Sequence, residues 1–334
     1  MNKKVNIGII GAGKIVESIH LPVLLNLPGI HVKWIFDKDE RRSNLLSRMY
    51  SIDALRGTLP DEKVEEVDVC LIAIPYGVRD EFIRKCAHKK KAVYIEKPFA
   101  VTLAEHMAYC DLFSPPDLAV GFQRRYYKYV DDIQYIISMQ LFGKLNEIYF
   151  NQGYFQLKGG SGFMADARMS GGGVIIESAI HTLDQILQFT KATNVTVNEV
   201  HSLSRSGIDH DTKFTSTLSC GAVSIPIISH ISNMRNLNNV ITLCFENKNI
   251  LFKPVADAKL YVTEKKGSQL DELKTDRIEL AKSGLTVNAA FIHFWQDFID
   301  AIQSRQVNKT NAVNSCLTTG WIEQVYKLVN HRRI

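Results

Sequence analysis

Val5 to Leu24 reads VNIGIIGAGKIVESIHLPVL, and the fold turns on this stretch. Val5 to Ile10 is an apolar run of strand length without polar alternation, as expected of a strand covered on both faces. Gly11-Ala12-Gly13 breaks the run, and Lys14, Ile15 and Val16 open a segment of helical spacing. In strand-turn-helix order the first glycine permits a tight turn. The second lets a backbone approach a pyrophosphate held at the helix N-terminus. Val16 stands where the third small residue of that fingerprint is expected.

Working outward, HVKWIFD forms a second strand that closes on Asp37, about 20 residues beyond the turn. A carboxylate there accepts hydrogen bonds from the adenosine ribose and repels a 2'-phosphate, which favours NAD as cofactor. Lys38, Arg41 and Arg42 follow closely and keep NADP possible. VDVCLIAIP (67–75), AVYIEKP (92–98) and LAVGFQ (118–123) read as further buried strands, with helical patterns over 79–89 and 102–112 between them. Apolar strands alternating with helices predict a doubly wound parallel sheet. Ala73, Ile74 and Pro75 end one of its strands, where a dinucleotide crossing the carboxyl ends would pass.

After residue 123 the pattern changes. A helix over 127–141 leads into alternating segments at 145–157, 196–204, 212–219, 222–232, 239–246 and 259–264, with the hairpin signal SCGAV between two of them. Helices over 287–303 and 311–330 close the chain. The expected fold is α/β, an N-terminal Rossmann domain (1–123) followed by an α+β domain (124–334) with an open, mainly antiparallel sheet. Apolar alternation in FTSTLSC and VSIPIISHI marks that sheet as a subunit interface, in a homodimer or homotetramer.

The 40 basic and 35 acidic residues nearly balance, leaving +5, so no nucleic acid partner is implied. No run approaches the roughly 20 apolar residues of a membrane span. The six cysteines are far apart and form no C-x-x-C pair. That pattern implies neither a disulfide framework nor a metal site, and it suits a reducing cytoplasm.

Two stretches carry candidate chemistry. Glu96-Lys97-Pro98 ends the fourth strand. Lys97 there can hydrogen-bond a substrate hydroxyl and shuttle its proton, while Glu96 can hold the lysine or a ribose hydroxyl and Pro98 fixes the turn. The second stretch, SGGGVIIESAIHTLD (170–184), places glycines before a helix that carries Glu177, His181 and Asp184 at i, i+4 and i+7. An imidazole between two acids suits a general base.

The ordered landmarks GIIGAGKIVESIHLPVL, VDVCLIAIP, EKPFAVT, VGFQRRYYKYV and GGGVIIESAIHTLD resemble the Gfo/Idh/MocA oxidoreductases over nearly the whole chain. The resemblance implies an active site between the two domains and hydride transfer at a carbinol carbon of a sugar or cyclitol. By motif, Lys97 looks like the family's catalytic lysine and His181 like its histidine, with Glu177 where aspartate is usual. Asp184 resembles a substrate-contacting acid, and Gln123 and Arg125 fall in the segment lining the nicotinamide and substrate. Arg79 occupies a place often held by histidine. The substrate expected is a nucleotide-linked sugar of surface-polysaccharide or deoxysugar biosynthesis. The alternatives are an inositol, a free sugar or a sugar phosphate, or a non-catalytic dinucleotide-binding sensor.

Overall fold

A computed structural model describes residues 4–156, 162–264, 271–272 and 286–331. The chain forms two compact units, one made of residues up to Gln123 together with Val287–Cys316, the other of Arg124–Thr286 with the residues after Cys316.

In the first unit the strands are β1 (Val5–Ile10), β2 (Ile30–Phe36), β3 (Asp53–Leu55), β4 (Val69–Ile72), β5 (Ala92–Ile95) and β6 (Leu118–Val120). They pair in the order β3-β2-β1-β4-β5-β6, all parallel. Helices cover both faces, so consecutive residues of β4 and β5 are buried and their sequences show no alternation. The short β3 carries no apolar run, which is why the sequence does not announce it.

The segment from Val287 to Cys316, expected in the second domain, belongs to this unit. Its helix Val287–Ser304 buries Phe291, Phe294, Trp295 and Phe298. Behind it the chain covers the sheet's edge. Val120 N–H donates to Thr310 O at 3.0 Å, and the side-chain amides of Asn308 and Asn311 donate to Leu118 O at 3.2 Å each. An edge strand satisfied in this way cannot recruit a further strand. These contacts occupy residues 308–311, so the last helix begins only at Cys316 instead of at Asn311.

The second unit holds β7 (Leu145–Gly153), β8 (Asn194–Arg205), β9 (Ile208–Cys220), β10 (Val223–Ser232), β11 (Val240–Phe245), β12 (Lys248–Phe252), β13 (Tyr261–Glu264) and β14 (Asp271–Glu272). Their order is β14-β13-β12-β11-β7-β10-β9-β8, antiparallel except for the β10–β7 pair. The expected SCGAV hairpin joins β9 to β10, with Gly221 at φ +61° and Cys220 opposite Val223. The strand expected over 145–157 ends at Gly153, and Leu157 lies outside the described residues. β10 alternates buried and exposed positions, as a sheet packed on one face should. On the packed side Trp321 donates from Nε1 to Ser216 Oγ at 2.9 Å.

Candidate active site

In the first unit the glycine turn follows β1 directly. Gly11 has φ +111°, and a Cβ there would strike the Ala73 carbonyl, so a side chain is excluded twice over. Gly13 differs, because a Cβ on it would meet nothing within 4 Å. The chain itself does not require a glycine there. The open space above it, beside the start of a helix, is what a phosphate approaching the backbone needs. Asp37 closes β2 against this turn. Its Oδ2 accepts from Ala12 N–H at 2.6 Å and its Oδ1 from Asp39 N–H at 2.8 Å, which fixes the carboxylate beside the turn. Arg41 and Arg42 both face Asp39, at 3.1 and 3.8 Å.

The helix that follows begins with a π turn, Val16–His20, in which Val16 and His20 are wholly buried. Such wide turns often sit beside functional groups. His20 is edge-on to Tyr94, Phe291 and Trp295. Trp295 Nε1, which can only donate, donates a hydrogen bond to His20 Nδ1 at 3.2 Å. The His20 proton therefore rides on Nε2 and is donated to Glu96 Oε1 at 2.9 Å. Tyr94 OH donates to the same oxygen at 3.0 Å, and Lys97 N–H donates to Glu96 Oε2 at 3.2 Å. Burial pushes the Glu96 carboxyl up, but the His20 hydrogen bond, with the charge of Lys97 and the Tyr94 hydrogen bond, outweighs it and leaves the group below its usual range.

The carbonyls around Lys97 are gathered by Arg79. Its Nη1 donates to Glu96 O at 2.7 Å and to Pro98 O, and its Nη2 to Ile74 O at 2.8 Å. One guanidinium thus ties the exit of β4 to the exit of β5 across a cis Lys97-Pro98 bond. Burial lowers the Arg79 pKa to about 10, which still leaves it charged at neutral pH. A histidine in its place could not reach three carbonyls.

In the second unit the glycine triplet serves the chain's own packing. A Cβ on Gly173 would collide with the Asp209 backbone. The Asp209 carboxylate accepts from Gly173 N–H at 2.7 Å, Ile175 N–H at 3.0 Å and Tyr326 OH at 2.7 Å. A carboxylate capping a helix start is favourable for the exposed N–H groups and for the dipole. A second π turn, Ile175–Ala179, holds Glu177, and the α-helix Ile180–Thr190 holds His181 and Asp184. Glu177 is half-buried, while His181 and Asp184 are 6% and 1% exposed.

Arg125 and Asp184, expected to meet substrate, meet each other. Arg125 Nε and Nη2 donate to Oδ2 at 2.8 Å and Oδ1 at 2.6 Å, and Thr318 Oγ1 donates to Oδ1 at 3.0 Å. Both side chains are buried. A desolvated bidentate pair holds the His181 helix to the turn Gln123–Tyr126, where Gln185 Nε2 also donates to Arg124 O at 2.9 Å.

The sequence reading missed His20 and Trp295. A histidine on the apolar face of the first helix was a usable signal, but its tryptophan partner lies 275 residues on, in a segment that was assigned elsewhere.

Residues 5–120 match the model of the Gfo/Idh/MocA oxidoreductase family, described as an NAD-binding Rossmann fold. Among curated relatives, the NAD-dependent scyllo-inositol 2-dehydrogenase of Bacillus subtilis is 24% identical over 188 residues, 55% of this chain and 53% of that one. The chain aligns with between 41% and 60% of the length of the curated relatives it matches. A mutant 3-ketoreductase from Actinomadura kijaniata, solved with TDP-benzene and NADP, superimposes with TM-score 0.81 at 13% identity over 97% of this chain and 98% of its own. UDP-N-acetylglucosamine 3-dehydrogenase from Acidithiobacillus ferrooxidans does so with TM-score 0.74 at 18% identity, over 97% of each chain. At these identities the superpositions establish the fold. Among the described residues no helix is long and apolar enough to cross a membrane.

Proposed function

We propose that this protein, whose first unit carries the NAD-binding Rossmann domain of the Gfo/Idh/MocA oxidoreductases, interconverts a secondary alcohol and a ketone on a sugar carried by a nucleoside diphosphate. One observation carries the proposal. The Glu96-Lys97-Pro98 exit of β5 is held by His20 and Arg79, as a residue that handles a proton at a set position requires.

Gly11, Ala12, Gly13, Lys14 and Ile15 would hold the pyrophosphate and Asp37 the adenosine ribose, with Ala73, Ile74, Pro75, Glu96 and Gln123 toward the nicotinamide. The nicotinamide, when bound, accepts or gives the hydride. Lys97 orients the substrate hydroxyl, and His181 takes its proton during oxidation and returns it during reduction. Glu177 orients the imidazole. Arg125 and Asp184 act as a frame under His181 instead of touching the sugar. Asp37 favours NAD, and Arg41 and Arg42, turned to Asp39, add little pull for a 2'-phosphate.

The nucleotide-sugar reading is supported by the 3-ketoreductase and the UDP-sugar dehydrogenase among the structural neighbours. A cyclitol substrate is the second reading, supported by the inositol dehydrogenase relative. Lys97 and His181 speak against a sensor that binds dinucleotide without turnover. Association of copies through the outer face of the second sheet would cover Tyr149 and Ile228, which are 37% and 42% exposed.

Calorimetric titration with NADH and NADPH, followed by UDP- and dTDP-sugars and scyllo-inositol on the cofactor complex, tests the proposal. Binding of one cofactor sharpened by one sugar class supports it, and failure to bind either dinucleotide refutes it. Lys97→Ala should lower turnover by about two to four orders of magnitude at unchanged melting temperature. Turnover close to wild type would remove Lys97 from the mechanism.

A further inference from the structure

We propose that His106, Cys110 and Cys316 form a binding site for a zinc ion. One ring nitrogen and the two thiol sulfurs lie within 4.8 Å of one another. His106 and Cys110 are a turn apart on the buried face of the helix Leu103–Cys110, and Cys316 comes from the distant start of the last helix. The six cysteines are free thiols, and these two are brought together by the tertiary structure alone.

Three features make this more than two thiols in proximity. His106 is wholly buried, and its Nε2 is hydrogen-bonded to Ala312 O at 2.8 Å, an outer bond of the kind that orients metal-binding imidazoles. Cys316 is seated by the same short segment, in which Ser315 donates from N and Oγ to Ala312 O at 2.8 Å each. A fourth soft donor is close, because Met107 Sδ lies 3.5 Å from Cys316 Sγ.

A Cys2His donor set suits zinc, whose ligands lie about 2.0 to 2.3 Å from the metal, so the atoms need to close by roughly an ångström. Both thiols give up their protons on binding. The ion would pin the helix 103–110 to the segment 308–316. The His106 ring also packs edge-on against Phe99 at 4.6 Å, two residues after Lys97, so occupancy would stiffen the loop that presents that lysine.

The test loads the purified, reduced full chain with zinc, dialyses it against metal-free buffer and measures bound metal. A parallel sample is loaded with cobalt and its near-ultraviolet spectrum recorded. The expected result is one zinc per chain and a thiolate-to-cobalt charge-transfer band. Cys110→Ser and Cys316→Ser should each weaken zinc by at least about tenfold, while Cys220→Ser, elsewhere in the chain, leaves it unchanged. Wild-type protein that retains no zinc and shows no band overturns the proposal. So does a mass showing that Cys110 and Cys316 have joined as a disulfide in preference to binding metal, or zinc that survives both substitutions.

Discussion

Two glycine turns open two helices in this protein, and each helix has a π turn near its start. On paper GAG and GGG look alike. At Gly13 the space a side chain would fill is open, whereas at Gly173 it is filled by the Asp209 backbone, with Tyr326 against the neighbouring Gly172. The first turn has room for something from outside, and the second is already occupied by its own chain. The same residue type therefore borders open space in one unit and forms a packing joint in the other. What separates them is the neighbour each glycine meets.

Substitution tests that contrast. Gly173→Ala must displace backbone of β9 and break the Asp209 cap, and is expected to cost about 4 kcal/mol or more in denaturant unfolding of the second unit. A loss below about 1 kcal/mol would show that the joint is loose. Asp184→Ala strips the partner from buried Arg125 and is expected to cost about 3 to 5 kcal/mol, read by the same transition.

Gly13→Ala should leave stability within about 0.5 kcal/mol of wild type yet weaken dinucleotide binding roughly tenfold, measured by calorimetry. Unchanged affinity would mean the open space is not where the phosphates lie. The smallest effect belongs to Glu96. Its folded pKa is lowered, so the stability it contributes is present above the ordinary carboxylate range and is lost as pH falls through the folded value. His20→Phe removes the largest contribution that lowers this pKa. The variant's melting temperature should then fall less steeply than wild type between about pH 6 and pH 3. Parallel curves would assign the shift to other groups.

Much of the first unit was legible because its signals are local. A buried parallel strand shows as an uninterrupted apolar run, and a turn with φ +111° needs glycine whatever lies far away. The order of the landmarks also put Lys97 and His181 forward as candidates. That Arg125 and Asp184 pair with each other was not legible, since nothing in either's neighbourhood says that its counter-charge is 59 residues away. Arg79 was legible only as an oddity, and its three carbonyl partners exist only once β4 and β5 lie side by side.

By itself the sequence determined the parallel sheet, the tight glycine turn after its first strand and the change to mainly antiparallel strands after residue 123, and it put forward candidates for holding a cofactor and moving a proton. Hydrophobic period, backbone stereochemistry and side-chain chemistry are properties of short stretches. The tertiary structure alone decided that Val287–Cys316 returns to the first unit, that Trp295 sets the His20 tautomer, that Arg125 neutralises Asp184, and that Cys110 meets Cys316. Each of these joins residues far apart in the chain. Such a pairing is fixed by how packed elements exclude water and satisfy buried polar groups, and it leaves no periodic trace in the sequence.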